Sequence, residues 1–226
     1  MKITFGGHAC FLIESGAYRL IVDPFLSGNP QAAFKPDELA VQYILVTHGH
    51  GDHLGDTLDM AKATGATVIA PNELAVYCQL QGAAVHAMHI GGSWQFPFGR
   101  VKLTPALHGS AVIKGQQIIY TGNPCGFLLH MEGKTIYHAG DTGLFGDMQL
   151  IGQYTPVDLA LLPIGDNFVM GPADAVEAAK FVRAKHVIPM HYNTFEVIRQ
   201  DPAAFKQKLS GIAQCTVLNP GETMEI

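Results

Sequence analysis

The stretch Ile44–Asp56, ILVTHGHGDHLGD, sets three histidines and an aspartate within six residues directly after a run of strand-forming apolar residues. A solvated loop has no need of three imidazoles, so the cluster points first to a metal. Imidazole nitrogen and carboxylate oxygen suit zinc, manganese or iron, and a strand ending in a tight ligand-bearing loop delivers several such groups to one point. His48 and His50, two apart at the strand end, project together toward one ion. Asp52 and His53, displaced further around the loop, face a second. Gly49, Gly51 and Gly55 supply the backbone freedom that such crowding requires.

The rest of the chain frames that reading. Its 226 residues, 48% hydrophobic against 15% charged, suffice to bury a substantial core. The net charge of −5 offers no basic excess to pair with phosphate backbones, so nucleic acid is not an expected partner. The N-terminus MKITFGGHACFLIESG is only briefly apolar and is broken by Gly6, Gly7 and His8, which argues against a signal peptide or a membrane span. A cytoplasmic protein with a small-molecule substrate is expected; oligomeric state is not readable. Cys10, Cys78, Cys125 and Cys215 are far apart with no C-x-x-C spacing and are expected as free, mostly buried thiols.

Short β-rich runs, KITF, CFLIE and YRLIVD, open the chain as an antiparallel meander. From Tyr43 strands and helices interleave: YILV, a helix over Thr57–Thr64, the strand TVIA and a helix from Glu73 to about Gln81. The second half repeats the order, with β-runs near Gln117–Tyr120, Gly126–His130 and Thr135–His138, then LALLP, a helix and HVIP. That helix starts after Gly171-Pro172, with Ala175, Ala178, Ala179 and Val182 on one face. A last helix from Pro202 to about Leu209 precedes the strand CTVL. No linker or low-complexity segment marks a boundary, so residues 1–226 read as one domain, an α+β fold with two sheets face to face and helices outside.

THGHGDH resembles the T-H-x-H-x-D-H motif of the metallo-β-lactamase superfamily. IVDP at Asp23, LHG at His108, YHAGDTG at Asp141 and IPMHYNTF at His191 resemble its other motifs in order along nearly the whole chain. Those flanking words are most similar to a branch of small metal-dependent hydrolases related to ascorbate-6-phosphate lactonases. The resemblance implies a four-layer αββα sandwich of two mixed sheets, with two divalent ions at one edge. Carried over by position, it implies a first ion on His48, His50 and His108, a second on Asp52, His53 and His191, and Asp141 bridging both. It also implies that Asp23 braces the histidine loop from behind and that His8 is a substrate-contact or supporting group and not a ligand. His138, three residues before Asp141, and Asn193 join it as supporting or substrate-contact candidates. Phe168 and Met170, in GDNFVMGP, are expected at the pocket rim, before a helix N-terminus that would favour an anion. His86, His89, His130 and His186 match no motif and are expected in packing or surface roles.

Two cations about 3.5–4 Å apart can share a water whose pKa falls toward ~7. The expected activity is therefore hydrolysis by a hydroxide shared between the ions, with Asp52 and Asp141 as catalytic carboxylates and Asp52 relaying a proton. The family resemblance favours a small ester or lactone, with a phosphodiester as the alternative. A non-enzymatic metal sensor remains a third reading. A flavodiiron oxidoreductase fits poorly, since that class carries glutamate where this chain has His50.

Overall fold

The computed structural model describes residues 1–226. Strands β1 (Lys2–Gly7), β2 (Cys10–Ser15) and β3 (Tyr18–Val22) pair antiparallel. Pairing then turns parallel: β4 (Tyr43–Leu45), β5 (Thr67–Pro71) and β6 (Val85–Met88) extend the same sheet. The one-turn α1 (Gly51–Leu54) and α2 (Thr57–Thr64) make the β4–β5 crossover and α3 (Asn72–Leu80) the β5–β6 crossover, while β3 and β4 are joined by a loop with one 3-10 turn at Pro36–Glu38. Helix α2 stops where Gly65 takes a left-handed φ of 72° and returns its N–H to Ala61, a conformation that costs glycine least.

The second half follows the same plan. Strands β7 (Ser93–Phe96) and β8 (Gly99–Pro105) form a hairpin, and β9 (Ala111–Lys114) and β10 (Gln117–Tyr120) form a separate two-stranded ribbon. Strands β11 (Cys125–Met131) and β12 (Lys134–His138) continue the second sheet antiparallel from β8. After α4 (Met148–Tyr154), the sheet grows parallel through β13 (Leu159–Pro163), α5 (Pro172–Phe181), β14 (His186–Met190), α6 (Pro202–Lys208) and β15 (Gln214–Cys215). The chain ends in β16 (Thr223–Glu225), which returns to pair with β1.

Three apolar clusters between these elements define four layers. Phe5, Phe11, Leu20 and Ile69 from the first sheet meet Leu103, Phe127, Leu159 and Ile188 from the second in a core of 24 buried residues. The opposite face of the first sheet, with Ile21, Ile44 and Val68, packs under Met60, Leu74 and Cys78 of α2 and α3. The opposite face of the second, with Leu128, Tyr137 and Val187, packs under Met148, Ala175, Ala179 and Phe205 of α4, α5 and α6. Strand side chains alternate between faces, so each central strand must be apolar on both, which is why YILV and LALLP are unbroken apolar runs. Each large buried side chain contributes about 1.5–3 kcal/mol, most of it offset by the entropy of ordering the chain. No helix is long and apolar enough to cross a membrane.

Several expected elements are altered. The strand CTVL is reduced to Gln214–Cys215 at a sheet edge. Helices α1 and α4 and strands β6, β7, β9 and β16 are present where no element is expected from the sequence. All four cysteines are free, three of them buried.

Candidate metal centre

The parallel strands deliver their C-terminal ends to one edge of the paired sheets, the place where ligands gather in open α/β sheets. Beyond β4 come Thr47 and His48, then His50, Asp52 and His53 in and around α1. Beyond β14 comes His191, beyond β12 comes Asp141, and beyond β8 comes His108. The β1–β2 turn adds His8. Asp141 is aimed by Gly140, whose φ is 64° and whose absent Cβ would stand 2.6 Å from the Cys125 carbonyl oxygen. His8 and His191 both hold left-handed backbone, at φ 60° and 56°, and the His191 N–H donates to the His8 carbonyl at 2.7 Å. Such backbone is uncommon for a histidine and persists only where the surroundings enforce it.

Hydrogen bonds behind the cluster set which ring nitrogens face inward. Asp23, fully buried, accepts the Thr47 N–H at Oδ1 (2.8 Å) and the Thr47 hydroxyl at Oδ2 (2.7 Å). The same Oδ2 is 2.7 Å from His53 Nδ1, which must therefore carry the hydrogen and leave Nε2 facing Asp141. The Thr47 hydroxyl has given its hydrogen to Asp23, so at 2.9 Å it accepts from His48 Nδ1. His48 Nε2 is thereby also left to face the cluster. One aspartate and one threonine thus fix two tautomers.

The inward atoms form overlapping groups. His50 Nδ1 is 3.0 Å from His48 Nε2 and 3.3 Å from His108 Nε2. Asp141 Oδ1 lies 3.2 Å from His53 Nε2, and its Oδ2 lies 3.0 Å from His191 Nε2, 3.6 Å from His108 Nε2 and 4.0 Å from His48 Nε2. Asp52 Oδ2 is 3.8 Å from His191 Nε2. Asp141 therefore touches both the His48, His50, His108 group and the group of Asp52, His53 and His191. His53 Nε2, Asp141 Oδ1 and both His191 nitrogens are buried without a hydrogen-bond partner. Three of these, His53 Nε2, Asp141 Oδ1 and His191 Nε2, meet in one buried spot, an arrangement that costs several kcal/mol unless a cation sits among them. The donor set, nitrogen and carboxylate oxygen with no thiolate, fits divalent zinc, manganese or iron.

His8 enters the second group as well. Its Nε2 is 3.1 Å from Asp52 Oδ2, and its Nδ1 is 2.8 Å from the Thr194 hydroxyl. Burial pulls the His8 imidazole down to about 4 despite the Asp52 hydrogen bond, so the ring is neutral and has one hydrogen. Facing a carboxylate, that hydrogen belongs on Nε2, and Thr194 donates to Nδ1. Burial would raise the Asp52 carboxyl, but the His8 hydrogen bond and the charge of His53 hold it below the usual carboxylate range. Burial keeps His48, His50 and His108 low and neutral, ready to ligate. Burial would also lower His53, but Asp141 and Asp23 on either side push it well above its ordinary value. Ligation at its Nε2 requires that proton to leave.

Not every expected site residue is here. Met170 is 1% exposed and packs in the outer core beneath α5, so it is not a rim residue; its apolar side chain is better satisfied there than at a solvent edge. Phe168 is exposed, at 54%. The carboxyl of Asp166 lies against Gly171 at the start of α5, where an anion was expected to be welcome. Asn193 is exposed at φ 61°, and its side-chain oxygen accepts from the Gln200 N–H, a turn role away from the cluster. His138 is wholly buried, donating from Nε2 to the Ala9 carbonyl and accepting the Gly140 N–H at Nδ1. It ties the β1–β2 turn to the loop that carries Asp141. Thr47 and Thr194 carry no sign of their roles in the sequence; Thr47 stands inside THGHGDH, but nothing local shows that its hydroxyl bridges Asp23 and His48. Phe25 and Phe195 place their rings 5.6 Å from His8 and wall the second group.

The beta-lactamase superfamily domain pattern matches residues 18–192. A UPF0173 metal-dependent hydrolase of Heliobacterium modesticaldum is 53% identical, over 100% of this chain and 98% of its own length. The Bacillus subtilis protein YtkL, of the same description, is 55% identical over 100% of both chains. The solved structure of a metallo hydrolase from the archaeon Ignicoccus hospitalis superposes with a TM-score of 0.90 at 36% identity, covering 100% of this chain and 98% of that one. With the ligand-rich strand ends, the paired mixed sheets and these full-length likenesses, the chain belongs to the metallo-β-lactamase superfamily, in the family of UPF0173 metal-dependent hydrolases.

Proposed function

We propose that the protein is a dinuclear metal-dependent hydrolase of small esters or lactones. The observation that carries this reading is Asp141: one buried carboxylate with one oxygen against His53 and the other against His191, His108 and His48. His48, His50 and His108 would hold one ion, Asp52, His53 and His191 the other, and Asp141 would be shared. Divalent ions so held supply an acidified water and polarise the substrate oxygen.

The chain's own groups do the rest. Asp52 has a side chain 29% exposed, so its carboxylate is open to the mouth of the site. Kept ionised, it can take a proton at the oxygen that His8 leaves free and pass it to the departing oxygen. The His8 N–H fixes the orientation of that carboxylate, and Thr194 fixes His8. Asp23 and Thr47 hold His53 and His48 rigid during turnover. A net charge of −5 supports a small molecule over a nucleic acid, and the resemblance to lactonases supports a carbonyl ester over a phosphodiester. A panel of γ-butyrolactone, p-nitrophenyl acetate, a thioester and bis-p-nitrophenyl phosphate, run on reconstituted and chelated protein, tests the reading. Chelator-sensitive turnover of the carbonyl substrates is expected; turnover of the phosphodiester alone would contradict it.

A further inference from the structure

A groove of ≈ 400 Å³ opens beside the metal centre. It is lined by His50, Asp52 and Leu54 of the histidine loop and by Ala111, Val112 and Ile113 of β9. His50 and Asp52 belong to the metal cluster too, so groove and cluster are continuous. A cleft of the same volume, ≈ 400 Å³, near Glu73, His89 and Tyr120 shares no residue with the cluster.

The ribbon of β9 and β10 that forms one wall joins neither large sheet. A two-stranded ribbon alone is marginal in water, so something must anchor it. The inner cross-strand pair, Val112 with Ile119, does so by packing on the apolar cluster under α2 and α3. At its base, the Gly49 N–H donates to Ser110 Oγ, which is itself 2.7 Å from the Thr121 hydroxyl. The ribbon is thus stitched to the histidine loop. The outer pair, Ile113 with Ile118, does none of this: the two side chains are 74% and 77% exposed. Folding gains nothing from two isoleucines standing in water, whereas a groove wall next to a reaction centre gains from Ile113, the one of the pair that lines the groove, whenever an apolar ligand covers it.

We infer that this groove is the binding site for an uncharged aliphatic acyl chain, which lies against Leu54, Val112 and Ile113 while its carbonyl reaches His50 and Asp52. The inference rests on the carbonyl-hydrolase reading above and adds the substrate class to it. Charge complementarity supports it. No lysine or arginine lines the groove, and its one ionised side chain is the Asp52 carboxylate, so a phosphorylated or otherwise anionic tail would find no partner and one repulsion.

The test is calorimetric titration of the metal-loaded protein with acetate, butyrate, hexanoate and octanoate, whose carboxylate stands for the acid product, with octanedioate, which carries a second carboxylate at the far end of the chain, as the anionic-tail comparison, alongside p-nitrophenyl butyrate and octanoate kinetics. Dissociation constants should fall about two- to fourfold per added methylene, as burial of aliphatic surface dictates. Octanedioate should bind more weakly than octanoate. Ile113→Ser should flatten the chain-length series and Ile113→Asp should abolish it, both with an unchanged melting temperature because Ile113 is exposed. Equal affinity for acetate and octanoate, or a series untouched by Ile113→Asp, would overturn the inference. So would an Ile113→Asp protein that passes from dimer to monomer while octanoate binding stays intact, since the apolar pair would then be a contact between copies. A steep chain-length series without turnover of either ester would leave the groove standing and refute ester hydrolysis instead.

Discussion

Asp23 Oδ2 lies 2.7 Å from His53 Nδ1, and both side chains are fully buried. The carboxylate can only accept, so the imidazole must donate to it from Nδ1, and Nε2, facing Asp141, is the nitrogen that can ligate once its own proton has left. Asp23→Asn tests that logic with almost no change in shape. An amide nitrogen toward His53 would donate to Nδ1 and drive the ring hydrogen to Nε2, where it blocks ligation. Metal affinity should fall roughly 10- to 100-fold. Competition with a fluorescent zinc chelator measures it; wild-type affinity in the variant would refute the tautomer assignment.

His8 positions Asp52 through a 3.1 Å hydrogen bond. His8→Ala should retain two ions per chain while kcat falls roughly 10- to 100-fold, the size of effect expected when a partner that orients a ligand is removed. KM should change little, since His8 is fully buried. Steady-state kinetics and elemental analysis of the same sample decide the matter. Loss of an ion in His8→Ala would make His8 a ligand and not a positioning residue.

His138 uses both ring nitrogens, one as donor to Ala9 and one as acceptor from Gly140, which only a neutral ring can do. Burial lowers its pKa from the ordinary 6.5. As pH falls below about 6.5, the unfolded chain takes up a proton that the folded ring refuses, so the stability of the folded state declines; above 6.5 the group contributes no pH dependence. In chelated protein, His138→Gln should lessen the loss of unfolding free energy between pH 6.5 and about 5, by at most about 1.4 kcal/mol per pH unit. Urea unfolding at a series of pH values gives the slope. Parallel slopes for wild type and variant would contradict this.

Where local pattern and tertiary need coincide, the sequence announces the fold. Helix α2 runs over Thr57–Thr64 as its spacing and following glycine indicate, and α5 begins at Pro172, after Gly171, with its alanine face buried. Helix α4 gives no such signal. It is short, lacks a side-chain N-cap bond and contains Gly152, which lowers helix propensity. That glycine is needed because a Cβ there would collide with the backbone of Phe181 and Val182 at the end of α5. Strand β16 is silent for another reason: Thr223–Glu225 become a strand only because β1 offers an edge at the opposite end of the chain.

The site divides the same way. His48, His50, Asp52 and His53 are legible because their spacing alone gathers them, and His108, Asp141 and His191 are legible through motif order. His8 is not legible as a cluster member, since its approach to Asp52 depends on the backbone bond from His191 to His8 across the two sheets. Met170 is not legible as a core residue, because an apolar residue before a helix fits a rim and an outer core equally well until the packing of α5 is known.

The central claim is that Asp141 joins two metal positions into one centre. Counting ions per chain by elemental analysis after reconstitution and desalting, for wild type and Asp141→Asn side by side, tests it most directly. An amide nitrogen is a poor ligand, so the variant loses the shared oxygen while its strand-end position leaves the sheets packed. Two ions in wild type and about one in Asp141→Asn, with a cooperative melt retained, is the predicted result. One ion in wild type, or two tightly held ions in the variant, would contradict it.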